Sequence, residues 1–199
     1  MVRQRGAAMQ DAVPLGVGAM AVVMGLDDNV VTDTCNSVSS ADSFVGGVNF
    51  NAPGQVVIAG HSAAVDSAVA ALKDAGARRA MPLPVSAPFH TPLMQPAAEV
   101  MQQAFDDVSW SSPQFPVVSN LDGSLQTNAD SIRDSLVKQI SAPVLWTACT
   151  ARLIEAGCSH FIECGPGKVL SGLSKRIDKS VPIKSIETVA AIKAGLTDL

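Results

Sequence analysis

The sequence predicts an α/β protein containing a compact β-α-β-β-α-β unit of the ferredoxin-like type. Strand-like and helix-like stretches follow one another in that order over residues 17–85. An Asn-Ala-Pro-Gly turn at residues 51–54 separates two of the strands with no helix between them. From residue 116 onward, short β and α stretches alternate, which is typical of a parallel sheet with helices on its faces.

Local patterns in the first half of the chain define the predicted elements. Ser62 is interpreted as the N-cap of a helix that ends at Gly76. Asp27 and Asp28 precede a short, weakly helical stretch. In order, we predict a helix over 1–12, a strand over 19–24, a helix over 28–38, strands over 44–51 and 55–59, a helix over 62–76 and a strand over 78–85.

The second half of the chain is predicted from apolar periodicity and turn residues. Apolar residues at helical spacing mark the helices, and Gly and Pro mark the turns. We predict a helix over 94–108, a strand over 116–119, a helix over 128–140 that is capped near Asn128, a helix from Pro143 to Gly157, a strand over 160–163, a tight turn over 165–167, a helix over 170–177, a strand over 181–186 and a short final helix.

Composition and charge exclude several classes of protein. Hydrophobic residues make up 47% and charged residues 16%, so the chain is expected to fold. The net charge of −4, without a basic block, argues against nucleic acid as a partner. The apolar run over 13–26 is followed by two aspartates and is too short to span a bilayer, so we expect neither export nor a membrane anchor.

The cysteines and histidines show no metal-binding pattern. Four cysteines contain no CxxC pair, and the three histidines are scattered along the chain. We therefore expect reduced thiols, a cytoplasmic location, no metal and no cofactor.

His90 is the candidate acid–base residue. It lies in a connection stiffened by Pro84, Pro88 and Pro92, between a strand and a helix. An imidazole has an ordinary pKa near neutrality, so a rigidly held histidine can serve as a general base. Taken alone, such a residue is more often a loop histidine with a structural hydrogen bond than an acid–base residue.

Two short motifs imitate catalytic or phosphate-binding sites. Residues 60–64 read G-H-S-A-A, whereas a nucleophile elbow requires glycine at the position of Ala64. The G-P-G-K stretch at 165–168 lacks the serine or threonine of a phosphate loop, since Val169 follows it. We interpret the second motif as a strand-to-helix turn.

Many ordered stretches together point to one family. They include N-F-N-A-P-G-Q-V-V-I-A-G at 49–60 and E-C-G-P-G-K-V-L at 163–170. In this respect the sequence resembles the malonyl-CoA:acyl-carrier-protein transacylases of fatty-acid synthesis. The matching stretches are residues 5–6, 18–21, 25–26, 49–60, 82–86, 89–90, 116–120, 138–139, 143–144, 146 and 163–170.

The resemblance implies a fold, a reaction and two partners. The fold would be an α/β-hydrolase-like core, here incomplete, formed by residues 1–15 and 87–199, with a ferredoxin-like subdomain at 16–86. The reaction would move a malonyl group from malonyl-CoA, through a serine ester, to the phosphopantetheine thiol of acyl carrier protein.

The resemblance also assigns site residues. The family's histidine falls on His90, and the glutamine whose carbonyl orients it falls on Gln139. The arginine that binds the malonyl carboxylate falls on Arg5, and Asn51 is a further candidate for substrate binding. Without the resemblance, Arg5 and Gln139 would be interpreted as surface residues.

Two family motifs are not found in this sequence. They are G-Q-G-S-Q, which contributes to the oxyanion hole, and G-H-S-L-G-E, which carries the nucleophilic serine. In the family both precede the Arg-Gly pair that occurs here at residues 5–6. We therefore expect an incomplete enzyme that is inactive alone, with an open sheet edge and apolar face. The alternative is a non-catalytic binding module derived from an acyltransferase.

Overall fold

The structure of the chain is a computed structural model that describes residues 1–85 and 87–196, with side chains described up to residue 193. Its elements are α1 (Val2–Asp11), β1 (Gly18–Met24), α2 (Asp28–Val38), β2 (Val45–Ala52), β3 (Gln55–His61), α3 (Ser62–Asp74), β4 (Arg79–Pro82), a 3-10 turn (Pro92–Met94), α4 (Gln95–Asp106), β5 (Val117–Val118), β6 (Leu125–Gln126), α5 (Ala129–Lys138), α6 (Trp146–Glu155), β7 (Phe161–Cys164), α7 (Val169–Ile177), β8 (Ile183–Ile186) and α8 (Val189–Leu196).

A four-stranded antiparallel sheet, in the order β2-β3-β1-β4, forms the largest part of the fold. Side chains alternate between its two faces, as in any strand. One face carries Ala21, Val23 and Ile58, which pack with α2 and α3 in the main apolar core. The opposite face carries Met20 and Val57, which face away from these two helices. The sheet thus separates a helix-covered side from the side that bears the candidate site.

A second core joins the chain's first helix to the helices that follow His90. Met9 from α1 packs with Met101 and Phe105 from α4 and with Ile140, just after α5. The rings of Phe105 and Trp110 meet edge to face, with centroids 5.2 Å apart. This packing fixes α1 beside the end of α5, although the two helices are far apart in sequence.

The predicted parallel sheet after residue 116 is wrong for its first strand. β5 pairs in antiparallel fashion with β6, a two-residue strand that the sequence pattern did not reveal. Gly123 turns the chain between them with φ 72°, a conformation that glycine adopts without strain. Only β7 and β8 are parallel among the described strands, and α7 connects them.

The segment before α6 pairs with the edge of β2. Val144 donates its N–H to Val48 O (2.8 Å) and accepts from Phe50 N–H (3.0 Å). The predicted helix start at Pro143 is therefore wrong: the backbone around Val144 is used for strand pairing, and α6 begins at Trp146.

Ser62 does not cap α3 as predicted. The N-cap position is occupied by His61, and Ser62 lies within the first turn. The hydroxyl of Ser62 donates to Gly16 O (2.8 Å), while His61 Nδ1 accepts from the backbone N–H of Phe44 (2.9 Å). Both side chains therefore bind neighbouring loops. The predicted cap at Asn128 is confirmed, because its side chain accepts from Ser131 N–H (2.9 Å).

Residues 163–170 form the predicted strand-to-helix turn. Glu163, at the end of β7, accepts from the backbone N–H groups of Leu170 (3.0 Å) and Ser171 (2.8 Å) and from the Ser171 hydroxyl (2.5 Å). These bonds satisfy N–H groups in the first turn of α7 and lower the pKa of the carboxyl, the Ser171 hydroxyl contributing most. The motif thus caps a helix. No helix in the described part of the chain is both long and apolar enough to cross a membrane.

Candidate active site

His90 occupies an unusual backbone conformation. Its φ of 63° makes it the one non-glycine residue in the left-handed region among the described residues. The turn is held by the Thr91 hydroxyl, which donates to Pro88 O (2.7 Å) and is fully buried. Gly18 lies beneath it, since a Cβ there would come within 2.2 Å of Pro88 Cδ. Such local strain is typical of residues whose position is functionally constrained.

The imidazole of His90 is oriented by a backbone carbonyl. Nδ1 lies 2.9 Å from Gln139 O, at the C-terminal end of α5. Because a carbonyl only accepts hydrogen bonds, this contact places the proton of the neutral ring on Nδ1 and leaves the lone pair on Nε2. Burial lowers the pKa of His90, and the positive charge of Arg5 lowers it further, whereas the bond to Gln139 opposes the shift. The ring is therefore a neutral base at neutral pH.

Arg5 reaches the same group from α1. Its Nη2 donates to the side-chain oxygen Oε1 of Gln139 at 3.4 Å. Burial lowers the pKa of the guanidinium, which nevertheless stays cationic at neutral pH because its ordinary pKa lies far above neutrality. Gln139 therefore contacts the imidazole through its carbonyl and the guanidinium through its side chain.

Arg5 and His90 line one cavity of about 350 Å³. Its polar lining includes the guanidinium and the imidazole, and Met9, Met20 and Phe89 supply an apolar wall. Such a cavity suits a small ligand with an anionic end. The complete lining is Arg5, Gly6, Met9, Met20, Asn49, Phe89 and His90.

The structure places the predicted site residues as follows. Arg5, His90 and Gln139 come together, although 134 positions separate the first from the last. On β2, Asn49 lines the cavity and Asn51 is not among its described lining residues. Register shifts lie on both sides of Phe50, so counting alternate residues along the N-F-N stretch could not show which asparagine faces the site.

No hydroxyl or thiol side chain is found among the described residues that line this cavity. Ser62, the serine of the elbow-like motif, is bonded to Gly16 O on the loop before β1. The described cavity thus contains a base and a cation without a nucleophile.

Comparison with known proteins identifies the family. The acyl transferase domain family matches residues 1–199. The malonyl CoA-acyl carrier protein transacylase of Escherichia coli (strain K12) is 46% identical over 196 residues, which cover 98% of this chain and 63% of that protein. The relative from Staphylococcus aureus (strain COL) is 44% identical over 193 residues, with 97% and 63% covered.

A solved structure shows the same fold. The acyl-carrier-protein S-malonyltransferase of Burkholderia pseudomallei 1710b superimposes with a TM-score of 0.93 at 45% identity, covering 98% of this chain and 64% of that one. The chain thus spans somewhat less than two thirds of the proteins it matches. The resemblance to malonyl-CoA:acyl-carrier-protein transacylases seen in the sequence is confirmed, and this chain belongs to the acyl transferase domain family.

Proposed function

We propose that this chain provides the base and the carboxylate-binding group of an enzyme that transfers malonyl from malonyl-CoA to the phosphopantetheine thiol of acyl carrier protein. The observation that carries the proposal is the 2.9 Å contact between His90 Nδ1 and Gln139 O, beside Arg5 in one cavity. The names of the relatives support the substrate and the acceptor. A related malonyl-transacylase has also been solved in complex with a type II PKS acyl-carrier protein.

In the proposed mechanism His90 moves a proton in both half-reactions. Nε2 takes the proton of a serine hydroxyl as the serine oxygen attacks the thioester carbonyl of malonyl-CoA. The carbon–sulfur bond then breaks, and coenzyme A leaves as a thiol with the proton from Nε2. In the second half-reaction Nε2 takes the proton of the phosphopantetheine thiol, whose sulfur attacks the serine ester, and the serine leaves with that proton.

Arg5 is proposed to bind the free carboxylate of the malonyl group. A planar guanidinium can donate two parallel hydrogen bonds to a carboxylate. Because Gln139 Oε1 accepts from Nη2, the guanidinium is held beside the cavity before substrate binds. Asn49, which lines the cavity on the sheet side, is proposed as a secondary contributor to binding. Asn51, the residue predicted from the sequence, lies on the same strand and is proposed to contribute indirectly, by supporting β2.

We propose that this chain does not supply the nucleophile, because no hydroxyl or thiol side chain is found among the described residues that line the cavity. The 199-residue chain alone should then not form an acyl-enzyme. The test is intact mass spectrometry after incubation with malonyl-CoA. We expect no adduct on this chain, and a single malonyl adduct on the nucleophile-bearing part when the upstream third of a relative is supplied. Ser62→Ala is the control, and it should change neither result, since the Ser62 hydroxyl is bonded to Gly16 O.

One finding favours the alternative of a non-catalytic binding module, namely the lack of a nucleophile in the described cavity. The two proposals predict different results for the reconstituted protein, in which this chain is combined with the nucleophile-bearing part of a relative. An adduct that forms with His90 intact and is lost in His90→Ala supports the transferase, whereas no adduct in any reconstituted sample supports the module.

The same proposal extends to domain organisation and location. We assign residues 16–86 to a ferredoxin-like subdomain, because β2-β3-β1-β4 is the strand order of that topology with both helices on one face. Residues 1–15 and 87–199 then belong to an incomplete α/β-hydrolase-like core. A cytoplasmic location fits the four cysteines, all of which are free thiols.

A further inference from the structure

A second cavity, of about 130 Å³, lies between α6, α7 and the parallel pair β7–β8. Its lining is mostly apolar and includes Leu153, Phe161 and Ile183. An apolar cavity of about 150 Å³ in another protein holds one benzene molecule, so this cavity has room for a ring of about five atoms. It shares no described lining residue with the cavity beside His90, and it is therefore a separate candidate site.

One wall of this cavity is Trp146, the first residue of α6. Its Nε1 is buried and has no hydrogen-bond partner among the described residues. Buried N–H groups in proteins nearly always have an acceptor, because burial removes the bond that water would make. The chain's other tryptophan, Trp110, follows this rule, since its Nε1 donates to Phe105 O at 3.1 Å. An unpaired donor thus belongs to a side chain that lines an apolar cavity.

Two other buried side-chain atoms lack a hydrogen-bond partner among the described residues, Asp28 Oδ1 and Arg133 Nε. Arg133 is ion-paired with Asp106 through another of its nitrogens. Neither Asp28 nor Arg133 is among the lining residues of the cavities described. Of these unpaired atoms, Trp146 Nε1 is therefore the one with space beside its side chain for a ligand.

Two further polar side chains of the lining are already bonded within the protein. The Thr150 hydroxyl donates to Trp146 O (3.0 Å), and Glu163 accepts from Leu170 N–H and from both the N–H and the hydroxyl of Ser171. A carboxylate disfavours a second anion beside it, and no cation is found among the described lining residues. The cavity therefore suits an uncharged ligand.

We propose that this cavity binds a small, uncharged organic molecule with one hydrogen-bond acceptor, such as a cyclic ketone or ether, and that the acceptor takes the N–H of Trp146. The apolar lining removes the hydrocarbon part of the ligand from water, which favours binding. The unpaired indole selects a ligand that carries an oxygen. The inference is independent of the proposed function, because it involves none of the residues assigned to transfer.

The test follows the indole signals in proton–nitrogen NMR spectra of the 199-residue chain. The two probes have similar shapes, cyclopentanone with an acceptor and cyclopentane without one. We expect cyclopentanone to move the Trp146 N–H signal downfield until it saturates, because a hydrogen bond deshields the proton. The Trp110 signal should stay in place, since its N–H is bonded to Phe105 O. Cyclopentane should cause no downfield shift.

Trp146→Phe removes the N–H and keeps an aromatic ring in the cavity wall. Affinity is measured from the backbone signals of the lining residues. The variant should bind cyclopentanone about five- to tenfold more weakly than the unmodified chain does, and it should bind cyclopentane equally well. The matched control is Trp110→Phe, which also identifies the two indole signals and should change the affinity for neither probe.

A second pair of variants tests the cavity itself. Leu153→Phe adds volume inside the cavity and should abolish the binding of both probes. Leu136→Phe, on α5 and outside this lining, should bind both as the unmodified chain does. Three results would each overturn the proposal: the same indole shift with both probes, unchanged affinity for cyclopentanone in Trp146→Phe, or binding that survives in Leu153→Phe.

Discussion

Arg5 and Gln139 meet through their side chains, with Arg5 Nη2 donating to Gln139 Oε1 at 3.4 Å, while the backbone carbonyl of Gln139 accepts from His90. One residue therefore contacts both the neutral base and the cation of the proposed site, through two chemically separate groups. Substitution of its side chain leaves its carbonyl in place, so the two roles can be tested independently.

The first prediction separates these roles. In the reconstituted enzyme, Gln139→Leu should lower kcat/KM for malonyl-CoA about fivefold, because the guanidinium loses a charge-assisted hydrogen bond. It should leave the apparent pKa of the base in the pH–rate profile unchanged, since the carbonyl remains. Gln102→Leu, at an exposed position of α4, is the control. A shifted pKa in Gln139→Leu would show that the side chain supports the histidine as well.

The second prediction contrasts the two charges. His90→Ala should lower the rate of acyl-enzyme formation by about 10²-fold or more for every acyl donor, because the base acts in the transition state. Arg5→Ala should cost roughly 2–5 kcal/mol for malonyl-CoA, whose carboxylate is then unpaired, and little for acetyl-CoA. The measurement is kcat/KM for both donors. Equal losses for the two donors in Arg5→Ala would mean that Arg5 supports structure and not specificity.

The third prediction concerns pH. Burial and Arg5 lower the pKa of His90 below its ordinary value of about 6.5, so the base stays neutral into weak acid. The pH–rate profile should show its acidic limb below that value, and Arg5→Ala should move the limb upward. Activity that falls already above about pH 6.5 would disprove the assignment of this limb to His90.

The same shift predicts a dependence of stability on pH. Between the folded pKa and about 6.5, the unfolded chain binds more protons at His90 than the folded chain does. The free energy of unfolding therefore rises with pH through this window, and the contribution is lost as pH falls through the folded pKa. Urea unfolding between about pH 5 and about pH 7 should show a smaller rise in His90→Gln than in the unmodified chain.

The fifth prediction concerns Gly60, which precedes His61 in the elbow-like motif. A Cβ at Gly60 would lie 2.0 Å from Phe44 O and 2.7 Å from Val45 Cα, both on the neighbouring chain segment. Because backbone atoms cannot move aside easily, Gly60→Ala should lower the free energy of unfolding by about 2–4 kcal/mol. Gly172→Ala, in open space on α7, should instead raise it by up to about 1 kcal/mol. Urea unfolding of both variants provides the comparison.

Sequence patterns predicted the elements whose signals are local. The strands on either side of Pro53-Gly54 and the cap at Asn128 depend on neighbouring residues, and the structure has them at the predicted positions. β6 was missed because two residues are too few to show a period. The start of α6 and the role of Ser62 were predicted wrongly because their hydrogen-bond partners are distant in sequence. The backbone of Val144 bonds to β2, and the Ser62 hydroxyl bonds to Gly16 O.

The candidate site could not be derived from local patterns at all. Nothing near Arg5 indicates that α1 packs beside the end of α5, because that contact depends on the second core. The proline-rich loop indicated His90 as a candidate residue. Its left-handed conformation and its bond to Gln139 could not be predicted from the local sequence. Only the resemblance over many ordered stretches joined the three residues in advance.

The pairing of Val144 with β2 has a consequence for enzyme engineering. Val144 follows Gln139 by five residues and is bonded on both sides to the strand edge at Val48 and Phe50. The carbonyl that orients His90 is thus tethered through a short linker to a strand of the antiparallel sheet. A chimera that replaces this sheet with the sheet of another acyltransferase would introduce that enzyme's substrate contacts. It would also change the position of the Gln139 carbonyl and therefore the orientation of the His90 imidazole. Grafts should therefore exchange β2 and residues 139–147 together, as one cassette.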